Sequence, residues 1–404
     1  MPSTPAPKLS YTPESPFAWL IVGAVFISLA VIFGVSYSFA AFFESFAAEF
    51  AAQRADVSGI FGICGLCIFI LGAAGGMLAD RFGPRIVCSA GMLFIAGGLW
   101  WTSLASALPS IYLSYGLMVG LGTALVYTPA IASVQPWFRE RRGLAAGIAS
   151  AGIGAGTLLI PALIARLLLE QSWRVAMRET AVGVLLIGLC ATAWLQRPVA
   201  NPSQKTTARP GMALASALRS KPFVWLYVGM VFAAPAQFIP FAHVSAAARD
   251  LGIAAADAIG LVGIIGVGSL LGRFGVGSFA DRIGRIPALF WMQVSMGLCF
   301  LLWASANSYP MLAGFALWFG LSYGAIVALL PAICMDLFGA QALSGIVGIL
   351  YTGAAFGNLV GPVAAGAIFD QTQSYQIVLW ICLLGSATAA FCTRKLQRVG
   401  HSLY

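Results

Sequence analysis

Charge is what this sequence has least of. Only 9% of its 404 residues are Asp, Glu, Lys or Arg, and 60% are hydrophobic. A soluble globular domain carries about 25% charged residues, so an ordinary water-soluble fold is excluded. Acids are scarcer than bases, with 13 Asp and Glu against 22 Lys and Arg, and every acid falls in a loop or at the end of an apolar run. The paired carboxylates of an intramembrane aspartic protease are therefore missing. Histidine occurs twice, and only His243 falls within an apolar run, so a Ser–His hydrolase has almost nothing to draw on. The eight cysteines are scattered, and the single CxxC, Cys64 and Cys67, sits inside a hydrophobic run without further ligands nearby. It reads as small buried thiols, and no metal or cofactor is expected. The alternating ten-residue segments of a membrane β-barrel are absent too.

What is present is a succession of apolar runs of 18 residues or more, the mark of a polytopic α-helical membrane protein. Hydropathy predicts roughly twelve spans, at 17–40, 57–79, 86–106, 109–135, 143–168, 176–196, 223–247, 258–280, 286–306, 308–335, 344–369 and 374–393. The N-terminus, MPSTPAPKLSYTPES, lacks the basic n-region and cleavage site of a signal peptide, so the first span is expected to be retained. The net charge of +9 follows the topology. With the N-terminus inside, the cytoplasmic segments hold sixteen of the 22 Lys and Arg, among them Arg81, Arg139, Arg141, Arg142, Arg282 and Arg285. Arg54, Arg166, Arg174, Arg178 and Arg249 fall outside, and Arg273 on neither side. The positive-inside rule then puts both termini in the cytoplasm, the expectation for a protein of the inner membrane. A soluble basic face for nucleic acid is missing.

Residues 197–221 are polar and Pro-containing, and they divide the spans six and six. The expected organisation is a tail at 1–16, a six-helix bundle at 17–196, a cytoplasmic linker at 197–221, a second bundle at 222–393 and a tail at 394–404. The halves match each other. GMLADRFGPR at 76–85 answers GSFADRIGR at 277–285, with Asp80 and Asp281 201 positions apart (281 − 80). Gly147, Gly152, Gly156 and Pro161 pair with Gly348, Gly353, Gly357 and Pro362 at the same offset. A duplicated six-span unit implies an all-α carrier of two pseudo-symmetric bundles with a site near the midplane. The glycines Gly143, Gly147, Gly152 and Gly156 suit either a close, mobile contact between the bundles or static packing.

Arg273 is the anomaly. It stands eight residues before Asp281, which marks a membrane face, so it lies roughly 12 Å deep at about 1.5 Å per residue. Its counterpart in the first half is Gly72, so the scaffold needs no cation there. An arginine at that depth costs about 2.5–3.5 kcal/mol, and no acid in a span can offset it. The simplest account is a solvated cavity whose counter-ion arrives as an anionic substrate, gripped bidentately as a planar guanidinium grips a carboxylate. The alternative is an arginine bonded to backbone carbonyls. Ser269 shares its helical face one turn away. Tyr127, Tyr323, Asn358 and Tyr37 are further candidates for substrate contact, each with helix bridging or packing as the alternative. His243 is the candidate for proton coupling or substrate contact, or else bonds a carbonyl freed by Pro240. The paired clusters Asp80–Arg81 and Asp281–Arg282 read as gates at the cytoplasmic mouth, or as loop caps.

The duplicated G-x-L-A-D-R-x-G-x-R pattern, with twelve spans in a 6+6 repeat, resembles the major facilitator superfamily over nearly the whole chain. More narrowly, WFRERRGLAAGIASAG at 137–152 and FIPFAHVSAAARDLGI at 238–253 resemble the monocarboxylate transporter and oxalate/formate antiporter group. In that group the eighth-span arginine, here Arg273, binds the substrate carboxylate. The resemblance implies a secondary active transporter of a small monocarboxylate, lactate- or pyruvate-like, coupled to a proton and functional as a monomer in lipid. An exchanger or exporter of oxalate-type or aromatic acids is the alternative. The mammalian members have a lysine where this chain has Tyr37 and an aspartate where it has Ser269. The oxalate exchanger has a second cation in the eleventh span, and residues 344–369 contain none.

Overall fold

The computed structural model describes residues 14–138, 141–196, 211–339 and 342–400, and among these every regular element is a helix. Twelve of them are long and apolar enough to cross a membrane. They are α1 (Pro16–Glu49), α2 (Arg54–Phe82), α3 (Pro84–Thr102), α4 (Leu108–Val134), α5 (Arg142–Glu170) and α6 (Trp173–Thr192). The second set is α7 (Lys221–Asp250), α8 (Ala255–Ile283), α9 (Arg285–Ala304), α10 (Tyr309–Phe338), α11 (Leu343–Thr372) and α12 (Gln376–Gly400). An even number of spans leaves the start of α1 and the end of α12 at one face, here the terminal face. Residues 197–210, most of the expected linker, lie outside the described residues.

Local chemistry sets the helix ends. Ser15 caps α1, its hydroxyl accepting from the Ala18 amide at 3.3 Å, with Pro16 at the first position. Ser220 does the same for α7 through the Phe223 amide at 3.4 Å. The two D-R-x-G motifs fold alike. Gly83 ends α2 with φ 86° and ψ 149°, and Gly284 ends α8 with φ 91° and ψ 147°, a turn that only glycine takes without strain.

The first span runs longer than hydropathy suggested, to Glu49 instead of 40. It is broken once, at Ser38, between helical segments Pro16–Tyr37 and Phe39–Glu49. The Ser38 hydroxyl bonds Gly34 O at 2.6 Å, and Tyr115 donates to Val35 O at 2.8 Å, so the backbone stays satisfied through the break. Glu49 anchors the far end by accepting from Trp173 Nε1 at 2.5 Å and from Arg174.

Within each bundle the packing repeats: α1 lies on α5 as α7 lies on α11. Of the two roles open to the α5 glycines, Gly152 and Gly156 take packing within the bundle. A Cβ on Gly152 or Gly156 would stand 2.1 Å from Phe26 O or 2.0 Å from Ala30 O, so these residues let α5 press on α1 of its own bundle. Gly147 meets nothing within 4 Å. The bundles meet along two seams, α2 with α11 and α5 with α8. There Gly62 faces Leu359 O at 3.0 Å and Gly263 faces Leu158 O at 3.3 Å, measured from an ideal Cβ, and both partners of the two pairs keep the repeat offset. A different set of small residues thus makes the seams close.

Candidate substrate site and opposite-face lock

Arg273, on α8, is 7% exposed and lies near phenols of both bundles. Its Nε donates to Ser269 Oγ at 3.4 Å, four residues back on the same helix, and its Nη2 has no hydrogen-bond partner. Among the described residues no carboxylate lies within ion-pair distance of it. Three phenols, Tyr37, Tyr127 and Tyr323, sit close enough to feel its charge. Tyr37 and Tyr323 share a hydrogen bond at 2.8 Å between their hydroxyls, which joins α1 to α10 across the bundles.

Aromatic rings hold these phenols in place. The Tyr37 ring stacks on Phe241 with centroids 4.0 Å apart and 12° between planes, and Tyr323 meets the edge of Phe241 at 5.2 Å. Tyr127 packs on Phe33 at 5.1 Å, and its hydroxyl interacts with that of Tyr351. Asn358 is 2% exposed, with an unpartnered Oδ1, and lines with Tyr37, Ser36, Cys64 and Gly65 a cavity of about 10 Å³. Five of the sequence-predicted residues, Arg273, Ser269, Tyr37, Tyr127 and Tyr323, thus form one cluster, and Asn358 joins it through Tyr37. A cavity of equal size in the second bundle, among Gln237, Gln293 and Thr393, has no charged lining residue and stands apart.

His243 belongs elsewhere. It is fully buried on α7, toward the face opposite the termini. Its Nε2 lies 2.9 Å from Pro362 O and 3.1 Å from Ser58 Oγ, and its Nδ1 lies 3.0 Å from the Tyr375 hydroxyl. A carbonyl only accepts, so Nε2 carries the proton and Nδ1 receives the Tyr375 hydrogen. The carbonyl it bonds belongs to α11, not to the turn opened by Pro240.

Tyr375 leads to a larger assembly that closes this face. Arg54, at the start of α2, donates to Tyr375 at 2.6 Å and to both oxygens of Asp250 at 2.9 and 2.6 Å. Asp370, at the end of α11, accepts from the Arg54 and Ala55 amides at 3.1 and 3.0 Å and so caps α2 from the other bundle. The guanidinium lies 3.9 Å from the Phe369 ring centroid. Burial raises the Tyr375 phenol above its ordinary value, which keeps it protonated as a donor to His243.

At the terminal face the expected gates are simpler. Asp80 is exposed, and Arg81 lies 5.2 Å from the Phe82 ring centroid. Arg282 is exposed, and the side chain of Asp281 lies outside the described residues. Ion pairs on this face include Arg285 with Asp336, at 2.7 and 2.8 Å within the second bundle, and Arg141 with Glu14 at 3.9 Å.

The family model for the Major Facilitator Superfamily matches residues 24–300 and 238–401. The chain belongs to the major facilitator superfamily. Monocarboxylate transporter 13 of Bos taurus is 30% identical over 366 residues, covering 90% of this chain and 85% of the relative. Monocarboxylate transporter 12 of Homo sapiens is 29% identical, covering 95% and 83%. Among solved structures, a bacterial homologue of the human lysosomal transporter Spinster, in an inward-facing and unoccupied conformation, superposes with a TM-score of 0.75 at 14% identity, over 95% of this chain and 98% of that one. The nucleoside transporter NupG superposes with a TM-score of 0.72, also at 14% identity. Homologues and fold are those of major facilitator transporters, not of enzymes.

Within this superfamily fold, residue types alone did not reveal the lock. Arg54 was assigned only to the outer side of the membrane, and Asp250, Asp370 and Tyr375 were given no role. Arg54 and Asp250 are 196 positions apart, and Arg54 and Asp370 are 316 apart, so no local pattern joins them. The one available signal was that Arg54 and Asp250 are opposite charges that topology puts on the same face. Tyr351 and Phe241 were likewise hidden among ordinary aromatics of apolar runs.

Proposed function

We propose that this chain is a secondary active transporter that moves a small monocarboxylate together with a proton, by alternating access, with the carboxylate paired to Arg273. The observation that carries the reading is the buried guanidinium with one open nitrogen, phenols around it and no carboxylate in reach. A cation in that setting is incomplete, and a carboxylate completes it with two parallel charge-assisted hydrogen bonds. Tyr127 or the Tyr37–Tyr323 pair supplies further donors. The names of the relatives, monocarboxylate transporters, support the same substrate class.

In the proposed cycle the acid neutralises Arg273 and lowers the cost of closing the cavity, and the bundles then rock about the site. The lock at Arg54 holds one face shut while the other admits solvent. With the positive-inside assignment, the terminal face is cytoplasmic, both termini lie inside the cytoplasmic membrane, and the lock faces outward. The bundles are 17–196 and 222–393, joined by the cytoplasmic linker 197–221, and the monomer is the working unit. Asp80–Arg81 and Asp281–Arg282 act at the inner mouth. His243 serves proton coupling, because protonating its ring removes the acceptor that Tyr375 needs and loosens the lock. The test is equilibrium binding of a panel of carboxylic acids to wild type and Arg273→Ala. Monocarboxylates should bind the first and lose at least tenfold in affinity for the second. Equal binding to both would falsify the assignment.

A further inference from the structure

The two halves of the repeat treat the face opposite the termini differently. Glu49 and Asp250 are repeat mates, 201 positions apart (250 − 49), and each ends the first helix of its bundle. Glu49 stays at home, where Arg174 and the Trp173 indole of α6 hold it. Arg174 also donates to Ser103 O and Ala105 O, at 3.0 and 2.8 Å, just past the end of α3. Asp250 instead crosses to Arg54 of the other bundle. Among the described residues no ion pair joins it to a cation of its own bundle, and its neighbour Arg249 turns to Ile253 O at 2.6 Å.

The repeat offset points to the residue responsible. The mate of Arg174 is Tyr375 (375 − 174 = 201), so a phenol stands at the start of α12 where α6 has a cation. The other task of Arg174 passes to the next residue. Gln376 Nε2 donates to Ala304 O at 2.8 Å, and Ala304 is the mate of Ser103. Tyr375 offers Asp250 no charge, and its hydroxyl is engaged by Arg54 and His243. The mate of Arg54 is Ala255, exposed at the start of α8, so the second seam has no cation there to reach across for Glu49.

We propose that Tyr375 is the positioning residue that turns an acid held within one bundle into a clasp between two. A part-buried carboxylate takes whatever counter-charge is in reach, because an unpaired one is costly. A cation on the last helix of the bundle keeps the acid at home, as Arg174 keeps Glu49. A phenol leaves it free for Arg54, so its charge is paired only when the bundles meet. Two positions then decide which arrangement a seam adopts: 174 or 375 beside the acid, and 255 or 54 across the gap. The inference rests on the lock in the proposed cycle and is independent of the substrate at Arg273.

The experiment transfers the arrangement to the other seam. Arg174→Tyr with Val175→Gln copies the start of α12 onto α6, and Ala255→Arg supplies the missing cation. The readout is the rate at which maleimide labels a cysteine placed beneath this face, in the full-length chain in nanodiscs. The three changes together should slow labelling about fivefold, the effect of one more pair of comparable exposure. Ala255→Arg alone should stay within about twofold of wild type, because Arg174 still holds Glu49. In the native seam, Tyr375→Arg should draw Asp250 back to α12 and speed labelling about fivefold. A triple variant that labels as fast as Ala255→Arg alone overturns the role of Tyr375, and so does Tyr375→Arg labelled at the wild-type rate. That second protein decides the matter if the triple variant does not fold. Asp250→Asn labelled at the wild-type rate removes the parent lock instead.

Discussion

Replacing Arg273 by methionine should make the ligand-free protein more stable and abolish its affinity for acid. Wild-type Arg273 keeps a charge at a depth where insertion costs about 2.5–3.5 kcal/mol. Its recorded compensation is one 3.4 Å hydrogen bond to Ser269 and the dipoles of nearby phenols, and Nη2 gains none. Part of the cost therefore stands uncompensated, and methionine, of similar reach and flexible, should recover about 1–3 kcal/mol of it. In a chain of this size that is a rise of roughly 1–4 °C in the unfolding midpoint. Saturating acid should reverse the order, since it stabilises wild type in proportion to occupancy and leaves the variant unmoved. Tryptophan fluorescence during heating, with and without acid, reads all four values. A ligand-free Arg273→Met protein that unfolds below wild type would show the guanidinium to be a structural bond-maker, and the substrate argument would lose its foundation.

Three further outcomes test other parts of the molecule. Asp250→Asn removes the charge opposite Arg54 in a pair that is 15% and 37% exposed. With that exposure the loss is about 1 kcal/mol, enough to shift the balance about fivefold toward opening at that face. Maleimide labelling of cysteines placed beneath the lock should speed up accordingly, and an unchanged rate argues that the pair is decorative. His243→Gln should flatten the pH dependence of uptake, and a wild-type profile would take the proton role away from this residue. Gly156→Val drives a side chain onto Ala30 O, 2.0 Å from the Cβ position, and should cost about 2–4 kcal/mol. Gly147→Ala, with open space around it, should be neutral, and similar losses in both would contradict the α1–α5 packing.

Much of the architecture was legible because hydropathy and duplication are one-dimensional signals. Twelve apolar runs, a repeat offset of 201 and a lone mid-span arginine can each be read along the chain, and the glycine turns at 83 and 284 follow from the same repeat. The extension of α1 to Glu49 was missed because its charged end is drawn into the fold by Trp173 and Arg174, partners more than 120 positions away. The glycine face of α5 left two readings open for a related reason. Spacing gives the face of a helix but not the neighbour it meets, and Gly152 and Gly156 found α1. Asn358 was visible as a polar residue in a span. Its seat, where Nδ2 stands 1.1 Å from the place of a Cβ on Gly65, is a property of another helix 293 positions earlier (358 − 65).

Arg54 has one further implication for how such a carrier avoids leaking. Asp250, Tyr375 and Phe369 all grip the same guanidinium, while Asp370 holds the amide at its root. Loosening one partner alone strands a charge against the rest, so half-released arrangements are worse than either fully clasped or fully parted ones. The barrier then behaves as a snap fastener, and ions or water find few moments in which it is merely ajar.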